Sequence, residues 1–197
     1  MAKTSLYFRT YLESKIVIHP AQMGAQIEEH LLENLKNKVE RRTIDTGIII
    51  HVDRIVEYRS GIIDRTNFSA NAIYWVKYEC LLCAPTKNLE MICLVENIIK
   101  GYLIARNGPV VVAIEFSSID PQTFEIVNGQ VRHLKRGSLV QRGDHLRVVI
   151  INVNMNLGET NVVALCKLLD YASQDEVKEF QEEQRMLQEP DQDEEFI

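Results

Sequence analysis

The chain has 197 residues, of which 46% are hydrophobic, a size that suits one or two small domains with a packed core. Its net charge is −6, but ten of the 28 acidic residues lie in residues 173–197, beside only two basic ones. Residues 1–172 therefore carry 18 acidic and 20 basic residues, which excludes a strongly basic nucleic-acid-binding protein.

The N-terminal part of the chain begins with extended patterns and continues into a helix. Residues 6–12 and 16–18 have the composition of strands, and Pro20 is typical of a helix entry. Beyond Pro20, apolar residues recur every four positions, which predicts a helix of about five turns with one apolar stripe. These residues are Met23, Ile27, Leu31, Leu35 and Val39.

Two longer alternating segments follow this helix. Residues 48–56 alternate as a half-buried strand would, with Ile48, Ile50, Val52 and Val56 on the apolar side. After a turn signal at Ser60-Gly61, residues 72–82 predict a second apolar face made of Tyr74, Val76, Tyr78, Cys80 and Leu82. A helix on an antiparallel sheet would bury both apolar sets, so we expect an α+β domain over residues 1–84.

Residues 85–172 have the pattern of an all-β domain. Pro85 cannot donate a hydrogen bond within a sheet and marks the boundary. Strand-like runs lie at residues 89–99, 145–154 and 161–168, and two more flank Asn107-Gly108, whose residues tolerate the positive φ angles of a tight turn. About five short strands are typical of a closed barrel such as an OB-fold, which mostly binds single-stranded nucleic acid or proteins.

A long excursion between Pro121 and Gly143 interrupts these strands, with turn signals at Asn128-Gly129 and Gly137-Ser138. The chain has no run of about 18 apolar residues and no apolar N-terminal segment, so we expect no membrane contact and no secretion.

The order of several short motifs resembles that of the RNA polymerase stalk subunits, namely the seventh subunit of eukaryotic RNA polymerase II and its archaeal counterpart. The shared order over residues 5–171 carries the resemblance, since each motif alone is common. Divergence between the motifs suits a version encoded by a large DNA virus. In chain order the motifs are Ile18-His19-Pro20 with Met23-Gly24, Thr46-Gly47-Ile48-Ile49, Ser60-Gly61-Ile62-Ile63, residues 74–78, residues 101–114, residues 143–147 and residues 168–171.

The resemblance implies a non-catalytic stalk subunit of a multisubunit DNA-dependent RNA polymerase. Residues 1–84 would form a tip domain that docks on the polymerase core, and residues 85–172 an OB-fold that guides nascent RNA or initiation factors. A helical subunit of the fourth type would lie against the junction of the two domains. We expect the nucleus as its location if the protein is cellular, and the virion or a cytoplasmic replication site if it is viral.

Docking is expected in three loops, at His19-Pro20, Arg41–Gly47 and Glu57–Ile63. Arginine and tyrosine in such loops suit a desolvated protein interface. The predicted docking residues are His19, Pro20, Arg41, Arg42, Tyr58, Arg59 and Ile62.

RNA binding by an OB-fold uses aromatic rings for stacking and cations along the phosphates. The residues that suit this role are Lys100, Tyr102, Arg106, Arg132, Lys135, Arg136 and Arg147. They form either a weak, sequence-tolerant RNA track or a solvated barrel rim with a core tyrosine. OB-folds of this family that bind RNA usually have an aromatic residue where this chain has Leu103, so fewer aromatic rings are available here for stacking with bases. The alternative function is a free-standing OB-fold RNA-binding protein in translation or RNA decay, which the near-neutral charge of residues 1–172 disfavours.

The sequence offers no catalytic, cofactor or metal site. Cys80 and Cys83 are three residues apart on a strand, so their side chains point to opposite faces and favour two buried apolar residues over a zinc site. His51 and Asp53 share a strand face without a nucleophile, which favours a polar surface. The cysteines have no disulfide spacing, so a reducing compartment is expected.

The acidic extension, residues 173–197, leaves two interpretations open. Val177, Phe180 and Leu187 fall roughly on one side of a helix that could dock on a neighbouring subunit. The other interpretation is a solvated acidic tail, disordered from Glu189 onward.

Overall fold

The computed structural model describes residues 5–63, 69–99, 101–127 and 129–188. Over this part of the chain the protein is mostly β, with a closed five-stranded barrel and two α-helices. Neither helix among the described residues is long and apolar enough to cross a membrane.

The chain divides into two compact units, here called the sheet unit and the barrel unit. Among the described residues, the sheet unit comprises Tyr7–Arg42 and Ile49–Cys83, and the barrel unit comprises residues 5–6, Thr43–Ile48 and residues 84–188. The domain limits at residues 84 and 172 stay a prediction, because a compact unit does not by itself have to fold alone.

The sheet of the first unit is built around one central pairing. In chain order the elements of this sheet and its helix are β1 (Tyr7–Ile18), α1 (Ile27–Val39), β2 (Arg42–Ile44), β3 (Gly47–Tyr58), β4 (Ile62–Ile63) and β5 (Ala72–Cys83). Residues 43–44 of β2 and 47–48 of β3 are counted with the barrel unit. The strand order is β1-β5-β3-β2, and β4 also pairs with β5. β1 and β5 run antiparallel over their full lengths, from Tyr7 opposite Cys83 to Ile18 opposite Ala72. The two extended segments predicted near the N-terminus therefore form a single strand.

Helix α1 covers the sheet with the apolar stripe that the sequence predicts. Leu31, Leu35 and Val39 are buried, and the side-chain amide of Asn34 donates to the carbonyl oxygen of Val17 on β1 at 3.1 Å. The helix is shorter than predicted, and its expected start at Pro20 is wrong. Residues 20–22 make only one 3-10 turn, and Gly24 has a φ of 158°, far from the helical value, so the chain leaves the helical course there.

The two long strands β3 and β5 differ in how well the alternation predicts their burial. On β5, Val76, Tyr78, Cys80 and Leu82 are all buried, as predicted. On β3 the alternation fails at both ends: Ile48 and Ile49 are buried side by side, and Val56 is exposed.

The barrel unit closes as the five strand-like runs predict. Its elements are β6 (Glu90–Ile99), β7 (Tyr102–Asn107), β8 (Val110–Glu115), β9 (Phe124–Val127), β10 (Gln130–His133), β11 (His145–Asn154), β12 (Val162–Tyr171) and α2 (Gln174–Gln188). The closed order is β11-β12-β8-β7-β6, in which only the β12–β8 pairing is parallel. Alternate residues of these strands fill the interior, Leu103, Ile114 and Val148 among them. A barrel of this kind is compatible with an OB-fold.

The β7–β8 hairpin turns one residue later than predicted. Asn107 is the last residue of β7 and pairs with Val110, so Gly108 and Pro109 form the turn, with Gly108 at a φ of 53°. Asn107 is buried instead: its side-chain amide donates to the Ile92 carbonyl oxygen at 2.8 Å. Asn107 has the conformation of a strand residue. Its buried side-chain hydrogen bond, rather than a positive φ angle, therefore explains why an asparagine is at this position.

The excursion between Pro121 and Gly143 holds a β-hairpin that the turn signals alone do not predict. Strands β9 and β10 pair antiparallel from Phe124–His133 to Val127–Gln130. Of the predicted turn residues, Asn128 lies outside the described residues, while Gly129 and Gly137 have φ angles of 78° and 67°.

Candidate docking and RNA-binding surfaces

One end of the sheet unit brings together the predicted docking segments at His19-Pro20 and at Ile62. Ile18 and Ile63 both pair with Ala72, the first residue of β5, from opposite sides. The His19 Nδ1 atom lies 2.9 Å from the side-chain oxygen of Asn71. The turn after β1 and the two residues of β4 therefore converge where β5 begins.

Arg41 and Arg42 lie at the other end of the sheet. Arg41 has a φ of 56°, and its N–H donates to the carbonyl oxygen of Ile49 near the start of β3 at 2.7 Å. Tyr58 is nine residues further along β3, about 30 Å away at the rise of an extended chain. The two arginines therefore lie apart from the end of β3, where the other predicted docking residues converge.

Residues 57–63, here called the docking loop, are held from two sides. The Tyr58 hydroxyl donates to Glu28 Oε1 on α1 at 3.0 Å, and this hydrogen bond raises the pKa of Tyr58. The ring of Tyr58 meets that of Tyr74 edge to face, with 6.2 Å between centroids. Gly61 lies directly against the same Tyr74 ring, and a Cβ at Gly61 would be 2.4 Å from Tyr74 Cζ.

An exposed apolar face runs across the sheet next to this loop. Val17 and Ile62 both pair with Ile73, so the three side chains lie on one side of the sheet. Trp75, two residues further along β5, is on the same side and 40% exposed, with Lys15 Nζ 4.4 Å from its ring centre. Ile62 is 65% exposed. Contiguous apolar surface of this kind often marks a protein interaction site.

All four predicted RNA-binding arginines have partners inside the barrel unit. Three of them lie within 3.5 Å of a carboxylate, and the fourth lies 5.1 Å from the centre of an aromatic ring. The pairs are Arg106–Glu96, Arg132–Glu125, Arg147–Glu176 and Arg136 over Tyr171. A carboxylate beside a guanidinium offsets its attraction for phosphate, so this cationic surface is weaker than the sequence suggests.

The remaining predicted RNA-binding residues are scattered. Tyr102 is 43% exposed at the start of β7, and Lys135 is exposed in the turn after β10. Lys100 lies outside the described residues. Leu103 is fully buried in the barrel core, so this position contributes no surface for stacking.

A buried histidine ties the excursion to the end of β12. His133 Nδ1 accepts hydrogen bonds from the N–H groups of Lys135 and Arg136 at 3.1 and 3.0 Å, so this nitrogen carries no proton. Nε2 therefore carries the proton and donates to Asp170 Oδ1 at 3.1 Å. The ring also packs edge-on against Phe124, with 4.9 Å between centroids. This network fixes the excursion on the barrel.

Burial would raise the pKa of Asp170, but hydrogen bonds outweigh it. The N–H of Tyr171 and the ring of His133 both donate to this carboxylate, and the Arg136 guanidinium adds a favourable charge. The net effect is a pKa of Asp170 below its usual value.

The four cysteines are all buried. Burial raises the pKa of Cys80 to about 11 and that of Cys83 to about 12, so both remain thiols at neutral pH. No group of three or more His, Cys, Asp or Glu residues in the described ranges is arranged to hold a metal ion. His51 Nε2 lies 2.8 Å from Asp53 Oδ1, so the two predicted neighbours on β3 are in contact.

Helix α2 packs on its own barrel. Phe180 is buried, and its ring meets that of His145 at the start of β11 with 5.4 Å between centroids. The side-chain amide of Gln184 donates to Asn107 Oδ1 at 3.0 Å. The apolar side of the predicted helix is thus occupied within the chain, at least at Phe180. The tail predicted to be disordered from Glu189 onward lies outside the described residues.

No protein-family model matches the sequence, but three known proteins do. A "putative DNA-directed RNA polymerase subunit" of Acanthamoeba polyphaga mimivirus is 49% identical over 195 residues, which is 99% of this chain and 98% of the relative. The chain belongs to the RNA polymerase stalk subunit family. RNA polymerase II subunit RPB7 of Glycine max and subunit 7 of Arabidopsis thaliana are each 24% identical, over 82% and 77% of this chain and 93% and 86% of the relatives.

These relatives confirm the family that the motif order indicated. The mimivirus relative also fits the expected version from a large DNA virus. It matches nearly the whole chain, whereas the plant stalk subunits leave about a fifth of it unmatched.

Several residues that shape the candidate surfaces were not predicted from the sequence. Tyr74 appears there only as part of an apolar face, and Glu28 as one acid among many. An aromatic residue near the start of a strand, after a glycine-containing turn, is a signal that could have indicated the contact between Tyr74 and Gly61. For His133 and Asp170, 37 residues apart, the sequence has no comparable signal.

Proposed function

We propose that this protein is a non-catalytic stalk subunit of a multisubunit DNA-dependent RNA polymerase. The observation that carries the proposal is the 49% identity to a viral polymerase subunit over nearly the full length of both chains. The partners are then the other subunits of that polymerase. The location that follows is the virion or a cytoplasmic replication site for a viral protein, and the nucleus for a cellular one.

Docking on the polymerase core occurs through the end of the sheet unit at which His19, Pro20, Tyr58, Arg59 and Ile62 lie. Their convergence supports this proposal, because an interface needs its anchors on one contiguous patch. Arg41 and Arg42 are left out of it, since they lie at the far end of β3.

A helical subunit of the fourth type is the expected stalk partner. The exposed apolar face with Val17, Ile73 and Trp75 supports a second polypeptide on the sheet unit, because water-exposed apolar surface of this kind gains free energy when it is covered.

The barrel unit guides nascent RNA or receives initiation factors. The pairing of its arginines within the chain favours a weak and sequence-tolerant contact with RNA. Exposed Tyr102 and Lys135 are the residues best placed for it.

The docking proposal is tested by affinity purification of tagged protein from cells that express it. We expect wild type to recover the large polymerase subunits. Ile62→Asp should lose them, because it places a charge at the centre of the proposed patch. Leu157→Asp is the matched control, since Leu157 is as exposed (70%) but lies in the barrel unit. Recovery by Ile62→Asp equal to that by the control, or no recovery by wild type, would refute the proposal.

The double variant Arg41→Ala/Arg42→Ala tests which end of the sheet binds the polymerase core. We expect this double variant to recover polymerase subunits as wild type does. Loss of recovery with an intact fold would move the docking surface to the Arg41–Gly47 turn.

A further inference from the structure

We propose that Tyr74 is a positioning residue, which holds the docking loop so that Ile62 is presented to an apolar site on the polymerase core. Gly61 is required in this arrangement because only a residue without a side chain fits against the Tyr74 ring. The identity of the partner rests on the proposed function, whereas the positioning of the loop is a property of the protein alone.

The contact between Gly61 and Tyr74 leaves no room for a side chain. An ideal Cβ at Gly61 would lie 2.4, 2.6 and 2.8 Å from the Cζ, Cε2 and Oη atoms of Tyr74. Carbon atoms in contact are normally about 3.5–4.0 Å apart. Gly61 does not have a positive φ, so the demand for glycine is steric rather than conformational.

The Tyr74 ring cannot turn away without losing other contacts. Its edge-to-face contact with Tyr58 depends on its present orientation, and Tyr58 is fixed to α1 by the hydrogen bond from its hydroxyl to Glu28. A side chain at position 61 would therefore either displace the loop or break the contact between the two tyrosines.

Backbone pairing holds the loop from its other side. Ile62 pairs with Ile73 and Ile63 with Ala72, which makes β4 a two-residue strand directly after Gly61. Ile62 and Ile63 are nevertheless 65% and 54% exposed. Successive side chains of a strand point to opposite faces, so Ile62 lies on the exposed apolar face with Val17 and Ile73. A large apolar side chain on an ordered backbone forms an anchor that loses little conformational freedom on binding.

Amide hydrogen exchange of residues 59–63 in the isolated full-length protein tests the positioning. We expect Gly61→Ala to speed exchange about tenfold, which corresponds to a loss of about 1.4 kcal/mol of local stability. Ser60→Ala, a substitution at the exposed neighbouring position, should leave exchange unchanged. Tyr74→Phe should behave as wild type, because it keeps the ring.

The decisive comparison is Gly61→Ala in a Tyr74→Leu background. Leucine lacks the outer ring atoms that Gly61 covers, so Gly61→Ala should have little further effect on exchange there. An equal effect of Gly61→Ala in both backgrounds, or no effect in wild type, would overturn the inference. The intrinsic fluorescence of Trp75, the only tryptophan, and the melting temperature show whether each variant is folded.

Polymerase association gives the second readout. With purified polymerase lacking this subunit, Gly61→Ala should bind about tenfold more weakly than wild type. Faster exchange with unchanged polymerase binding would contradict the role in presentation. Failure of wild type to bind would refute the proposed function, while the exchange data would still decide the positioning of the loop.

Discussion

At the residue scale, His133 shows how a single side chain can organise a long excursion. Its ring accepts two N–H groups from the turn after β10 and donates to Asp170 on β12. Only a histidine in one tautomer can do both while it packs edge-on against Phe124. The ring therefore fastens the predicted RNA-binding residues of the excursion to the barrel.

We predict that His133→Phe destabilises the protein by about 2–3 kcal/mol, because it leaves the N–H groups of Lys135 and Arg136 without their acceptor. Urea unfolding followed by far-UV circular dichroism measures the effect. Asp170→Asn is the control that keeps an acceptor for Nε2, and we expect it to cost less. Equal free energies of unfolding for His133→Phe and wild type would show that this hydrogen-bond network does not stabilise the protein.

The lowered pKa of Asp170 predicts a pH dependence of stability. A carboxyl group with a lower pKa in the folded state stabilises the protein above its unfolded pKa, and this contribution is lost as the pH falls through the folded value. The free energy of unfolding of Asp170→Asn should therefore fall less steeply than that of wild type below about pH 4. Asp45→Asn, at an exposed position, should follow the wild-type curve. A steeper fall in Asp170→Asn would contradict this.

Single residues were predictable where their role is local. The helix stripe with Leu31, Leu35 and Val39 follows from spacing alone, since periodicity reports burial. The role of Asn107 was not predictable, because its partners Ile92 and Gln184 are remote in sequence. From the sequence alone, an asparagine that forms a turn cannot be distinguished from an asparagine that is buried in a strand.

At the scale of elements, α2 is a helix whose apolar side packs on the barrel of its own chain. Phe180 against His145 is the main apolar contact, with the Arg147–Glu176 pair and the Gln184 hydrogen bond beside it.

We predict that Phe180→Ala releases α2, with faster hydrogen exchange over residues 174–188 and unchanged exchange in β7 and β12. The helix depends on this packing because an isolated helix of 15 residues is marginal in water. Met186→Ala is the matched control, since Met186 is 68% exposed on the same helix. Unchanged exchange in Phe180→Ala would mean that the polar contacts alone hold α2.

Elements were predicted well where the pattern is long and poorly where it is short. Strands β6, β11, β12 and β5 follow from runs of ten to twelve residues, and the six-residue strands β7 and β8 follow from the turn signal between them. The four-residue strands β9 and β10 and the three-residue strand β2 carry too few positions to show a period. The start of α1 was misplaced because Met23 fits the stripe but precedes the helix.

At the scale of the whole molecule, charge decides between the stalk subunit and a free-standing RNA-binding protein. We predict weak binding of single-stranded RNA, with log Kd changing by less than about two per decade of salt, because three of the predicted RNA-binding arginines, Arg106, Arg132 and Arg147, each have a carboxylate partner. Fluorescence titrations at several salt concentrations measure this slope. Tight binding with a slope of about four or more would favour the free-standing RNA-binding protein.

The family could be predicted from the sequence alone, because the order of the motifs over residues 5–171 identifies it. The grouping of the predicted docking residues was only partly predictable. Five of the seven predicted docking residues converge at one end of the sheet, while Arg41 and Arg42 do not, since sequence motifs carry no information on which loops share an end.

The most direct test of the central claim is the stoichiometry of this protein in RNA polymerase purified through its largest subunit. Quantitative mass spectrometry of the transcriptionally active fraction gives the ratio of the two chains. A stalk subunit predicts one copy of this protein per largest subunit. Its absence from that fraction, or presence at a small and variable fraction of one copy, would contradict the assignment.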